Sequence, residues 1–140
     1  MESYDLQRHQ LIKTLTTKNN GKTVDTVILL WEQMATKTIS IVGENGFRSL
    51  YIRSILLNKS KFPCLSKYDP KSEINNQFTE LKLCLEKQHS NQIIEVNNQL
   101  LITLSDILSS LIGETLTTKI LCLAWGDVTP DFVSKELNNE

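Results

Sequence analysis

Residues 34–55 read MATKTISIVGENGFRSLYIRSI, and residues 104–124 read LSDILSSLIGETLTTKILCLA. Each is an apolar run that ends in an aliphatic pair, meets Gly-Glu, and resumes as a second amphipathic run. Gly43 and Gly113 hold the same place in the two stretches, seventy residues apart. A hydrophobic helix that stops at glycine and restarts at once is a tight helical corner, because glycine takes up a positive φ without steric penalty. Two such corners in 140 residues predict an all-α, single-domain bundle of about five to seven helices. The repeated corner also suggests an internal duplication, whose two helix pairs would superpose by a pseudo-two-fold rotation.

Upstream of the first corner, Val24, Val27, Ile28, Trp31, Ala35, Thr38 and Val42 fall on one helical face, with Thr23 as the cap. Downstream, Phe47, Leu50, Tyr51, Ser54 and Ile55 continue the helical spacing. Strands at 38–42 and 120–125 are the alternative, since Thr38 to Val42 is β-branched and partly alternating. The unbroken stripe from Val24 to Val42 favours helix. A weaker stripe of Leu6, Leu11, Ile12 and Leu15 predicts a first helix over 4–16, capped by Ser3, with residues 1–22 peripheral. Asp69-Pro70 predicts a helix over 71–88 that buries Ile74, Phe78, Leu81 and Leu85. The strongest apolar face, from Leu100 to Leu111, predicts a central helix over 90–112 with Ser90 as its cap. A short apolar helix over 115–125 follows, then a last one over 131–137 with a frayed tail.

A net charge of -1 argues against a generic nucleic-acid binder, which carries a basic excess. No window approaches the ~18 apolar residues of a membrane-spanning helix. The N-terminus MESYDLQRHQ has no secretory pattern. Cys64, Cys84 and Cys122 are an odd set without close spacing, which fits reduced thiols in a cytoplasmic protein better than disulfides or zinc.

Few residues suggest chemistry. Gly43-Glu44-Asn45-Gly46 lacks the lysine and hydroxyl residue of a phosphate loop, and puts a carboxylate where phosphate would sit. Glu44 and Glu114 read instead as favourable charges at helix N-termini. His9, beside Arg8, invites comparison with phosphotransfer domains. However, Lys13 and Thr14 do not match the usual lysine and glycine, and the helix is weakly amphipathic. His89 reads as a residue between helices. No Gly-x-Ser-x-Gly elbow or Glu-x-x-His pair is present. Cys84 and Cys122, flanked by leucines, read as core or boundary residues. Cys64 lies in a loop with Lys59, Lys61 and Lys67, whose charges would lower its pKa.

Arg48, Arg53, Lys59, Lys61 and Lys67, interleaved with Tyr51 and Phe62, form a basic stretch suited to an anion, a nucleic acid or an acidic partner; the plainer reading is a solvated helix face and polar loop. Trp31 and Trp125 read as core anchors, although Trp125 precedes a helix end and is open to a partner. The candidate partner or ligand surface is therefore Arg48, Tyr51, Arg53, Leu56, Leu57, Phe62 and Trp125.

Leu30-Trp31-Glu32, Ile41-Val42-Gly43-Glu44, Gly46-Phe47, Leu50-Tyr51, Arg53-Ser54 and Phe62-Pro63 together resemble a group of small, uncharacterised bacterial helical proteins with the form LWE…(I/V)(I/V)GE.GF..LY.RS…FP. The second corner, Leu111 to Glu114 with Leu116, Thr117 and Trp125, fits the same group. The resemblance implies bacterial origin, an all-α fold and a loose association with signalling, but no activity. The expected function is a non-enzymatic module that binds another protein or a second copy of itself. It needs no catalytic residue, metal or cofactor. The alternatives are a small-molecule sensor whose cavity Trp31, Tyr51, Trp125 and the corner glutamates line, and more distantly a histidine phosphotransfer protein.

Overall fold

The computed structural model describes residues 2–19, 23–72 and 78–126. Among these residues five α-helices occur in order: α1 (Glu2–Lys18), α2 (Val24–Asn58), α3 (Thr79–Glu86), α4 (Ser90–Ile112) and α5 (Glu114–Ala124). Two 3-10 turns, Pro63–Leu65 and Pro70–Ser72, lie between α2 and α3. Among the described residues there is no strand, so 38–42 and 120–124 are helical.

Both corners form where the glycines stand. Gly43 breaks α2 with φ 82 and ψ 168, and Gly113 separates α4 from α5 with φ 95 and ψ 159. Both fall in a backbone region that side chains with a Cβ avoid, so the two glycines turn the chain in the same way. Thr23 caps α2 as its sequence position suggests, accepting a hydrogen bond from Thr26 N–H at 3.3 Å.

The burial pattern repeats with the same offset as the glycines. Before the first corner, Val27, Leu30, Trp31, Met34, Ala35 and Thr38 are buried; seventy residues on, so are Asn97, Leu100, Leu101, Leu104, Ser105 and Leu108. After it, Phe47, Leu50, Tyr51, Ser54 and Ile55 are matched by Thr117, Ile120, Leu121, Ala124 and Trp125. The flanking helices follow suit, with Arg8, Leu11 and Leu15 of α1 matched by Phe78, Leu81 and Leu85 at α3. α1 packs on α4 and α5, whereas α3 packs on α2. Each short helix thus covers the other corner's helices.

Three boundaries differ from the sequence expectation. α1 starts at Glu2, which puts Ser3 inside the helix rather than at its cap. Asp69-Pro70 opens only the Pro70–Ser72 turn, and α3 begins at Thr79 because Phe78 sits at φ 56, outside the right-handed helical region. His89, not Ser90, is the N-cap of α4. Ile74 and the expected helix over 131–137 lie outside the described residues.

An added Cβ at Gly43 or Gly113 meets nothing within 4 Å, so its cost comes from the backbone torsion alone. Gly43→Ala and Gly113→Ala are each expected to lose about 1–3 kcal/mol of stability, by similar amounts. Urea unfolding checks this, and an unchanged midpoint for either variant would contradict the shared corner geometry.

Candidate functional site: a basic apolar face, a charge cluster and a thiol-lined cleft

The inner face of residues 44–58 is sealed. Trp31 and Tyr51 rings meet edge-on at 5.3 Å, as do Tyr51 and Phe78 at 5.3 Å, while Trp31 and Phe78 meet tilted at 5.7 Å. Phe47 closes the cluster, stacked at 6.2 Å from Tyr51. Each polar tip has a partner: Trp31 Nε1 donates to Asn97 Oδ1 at 2.7 Å, and the Tyr51 and Tyr68 hydroxyls share a hydrogen bond. Trp125 is also buried, donating from Nε1 to the Leu30 carbonyl at 3.1 Å. Burial therefore removes Tyr51, Phe62 and Trp125 from the expected partner surface. Trp31 and Tyr51, expected to line a cavity with Trp125, pack instead against each other and against Phe78.

The outer face of the same arm is open. Arg53, Leu56 and Leu57 are exposed at i, i+3 and i+4, so they share one surface. Leu56 and Leu57 are each 50% exposed. Arg48 sits at the edge, where its Nη2 donates to the Lys71 carbonyl at 2.7 Å. Lys61 and Lys67 are exposed beyond the helix end, and Lys59 is partly so. Residues 45–68 contain these five cations and no Asp or Glu, in a protein whose net charge is -1. Charge is thus segregated onto this arm.

Sequence reasoning missed a second polar constellation. The Arg8 side chain is 1% exposed and faces three carboxylates. Its Nη2 lies 2.6 Å from Asp5 Oδ1, its Nη1 2.8 Å from Asp106 Oδ1, and its Nε 3.1 Å from Glu114 Oε2. The last contact is Coulombic, since neither of those two buried atoms has a hydrogen bond. His9 Nε2 lies 2.7 Å from the same Asp106 Oδ1. Glu114, expected as a helix N-terminal charge, does begin α5 and also holds α1 down, whereas Glu44 is exposed. The available signal was Arg8 standing on the stripe of Leu11, Ile12 and Leu15.

An open cleft of about 320 Å³ lies between the Pro63–Leu65 turn and α3, lined in part by Cys64, Lys67, Tyr68, Cys84 and Lys87. Burial pushes the Cys64 thiol above its ordinary pKa, only partly offset by a backbone hydrogen bond. The lowering expected from nearby lysines is therefore overturned, because desolvation of the thiolate prevails. Cys122 is buried in α5, away from this cleft's lining.

Among the described residues, no group of three His, Cys, Asp or Glu is placed to hold a metal ion. No helix there is long and apolar enough to cross a membrane. In comparisons with protein-family models, curated proteins and solved structures, nothing matches this chain.

Proposed function

We propose that this protein is a non-enzymatic interaction module whose working surface is the outer face of residues 48–61. The partner that fits is an acidic amphipathic helix of another protein. The observation that carries this reading is the pairing of Leu56 and Leu57, half exposed, with five cations in a stretch, residues 45–68, that contains no Asp or Glu. Leu6, Leu29, Ile41, Leu83, Leu111 and Leu123 are also exposed, but each stands apart from the others in sequence. An amphipathic helix would lay its apolar positions on the leucines and its carboxylates near Arg53 and Lys61. Opposite charges would also speed encounter. Self-association through this face would oppose like charges, which favours a foreign partner.

The proposal extends to a scaffold of two like halves, supported by the matched glycine torsions and burial. Three free cysteines fit a reducing compartment such as the cytoplasm. The bacterial resemblance rests on the quoted motif alone. A phosphotransfer role is disfavoured by charge: a phosphoryl group on His9 would sit beside Asp106, which already holds its Nε2.

The test uses a labelled helical peptide with leucines on one face and glutamates flanking them, measured by fluorescence anisotropy. Binding is expected to weaken with salt and to fall at least tenfold in Leu56→Ser/Leu57→Ser and in Arg53→Glu. Equal binding of a lysine-flanked peptide, or no loss in those variants, would sink the reading. A concentration-dependent mass above 16.0 kDa in light scattering would point to a second copy instead.

A further inference from the structure

Cys64 and Cys84 are far apart in sequence, yet they line the same cleft from opposite elements. Cys64 lies in the Pro63–Leu65 turn and Cys84 in α3. These two elements pack together, with Cα atoms approaching within 8 Å. Neither cysteine is in a disulfide and both are partly exposed, whereas Cys122 is buried. A disulfide needs Cα atoms about 4.4–6.8 Å apart, so the bond would clamp the Pro63–Leu65 turn against α3.

We propose that Cys64 and Cys84 constitute one dithiol site, which a low-molecular-weight disulfide such as oxidised glutathione converts to an intramolecular disulfide. One cysteine thiolate attacks the small disulfide, forming a mixed disulfide and releasing one small thiol. The second cysteine then attacks the protein sulfur of that mixed disulfide and releases the other small thiol. The Cys64–Cys84 bond forms, the small disulfide's S–S bond breaks, and two electrons and two protons pass to the two small thiols. The product ties the Pro63–Leu65 turn to α3 across the cleft. Burial disfavours the Cys64 thiolate, so the exchange is expected to accelerate as pH rises. The lining carries Lys67 and Lys87 against one acid, Glu80, a positive balance that would favour approach of the anionic glutathione disulfide.

The test is intact-mass spectrometry of the folded full chain after incubation with oxidised glutathione, followed by peptide mapping without reductant. The expected wild-type product has lost two hydrogen atoms and joins the peptides holding Cys64 and Cys84. Cys64→Ser and Cys84→Ser are each expected to stop at one glutathione on the remaining cleft cysteine, and Cys122→Ser is expected to oxidise as wild type does. Circular dichroism before oxidation establishes that each variant is folded. Wild-type protein that stays reduced, carries separate glutathiones on both cysteines, or links either one to Cys122 would overturn the proposal.

Discussion

Trp31→Ala is expected to remove about 4 kcal/mol of stability, the largest single loss in the protein. The indole is 0% exposed and packs against both Tyr51 and Phe78, so its removal leaves a cavity bordered by rigid rings. It also strips Asn97 Oδ1 of its donor. Asn97 Nδ2 already lacks a partner, so the amide would be left unsatisfied at both ends. Trp31→Phe keeps a ring and loses the hydrogen bond, with an expected loss of about 2 kcal/mol. For a domain of this size the alanine variant's melting temperature falls by about 10–20 °C. Thermal and urea unfolding check both, and an alanine loss below about 1.5 kcal/mol would remove Trp31 from the centre of the core.

The second large effect concerns Arg8, and its size depends on which partner is changed. In Asp106→Asn/Glu114→Gln, a guanidinium only 1% exposed keeps a single carboxylate, Asp5. The expected loss is about 3 kcal/mol, the lower end for an orphaned buried charge, because water reaches Asp106 at 46% exposure. Arg8→Met removes the buried charge itself and leaves carboxylates that solvent can reach. Its expected loss is under about 1.5 kcal/mol, since apolar replacement of a buried ionic group is often neutral. Urea unfolding of both variants decides between a charge that needs partners and a side chain valued for its volume. The reverse order of losses would contradict the account of how α1 is held.

Helices and corners were legible because the signals there are local. With five glycines in the chain, a glycine closing an apolar helical stripe stands out, and both corner glycines take the expected positive φ. The stripe from Val24 to Val42 likewise sufficed to choose helix over strand. Of the helix expected over 71–88, Thr79–Glu86 forms as α3, and it starts there because Phe78 leaves the helical region to place its ring against Trp31 and Tyr51. That choice is made by tertiary packing, and neither its spacing nor its neighbours announce it.

The candidate surface was legible in part for the same reason. Arg48, Arg53, Leu56 and Leu57 are exposed, and all lie on the arm that the spacing identified. Tyr51 and Phe62 stand among cations in sequence, but alternation around a helix turns Tyr51 inward beside Phe47, and Phe62 is buried beyond the helix end. Trp125 lies at a helix end, where exposure was a reasonable expectation, and the Leu30 carbonyl binds it instead. Arg8 was overlooked because a charged residue in a weak stripe reads as solvated. Its three carboxylates come from α1, α4 and α5, so only the folded chain assembles them.

The most direct measurement is the amide chemical-shift map of ¹⁵N-labelled protein titrated with the acidic amphipathic peptide. The account predicts saturable shifts confined to residues 48–61 and their immediate neighbours, with the core around Trp31 unmoved. Shifts centred on α1 and α4, or none at peptide excess, would contradict it.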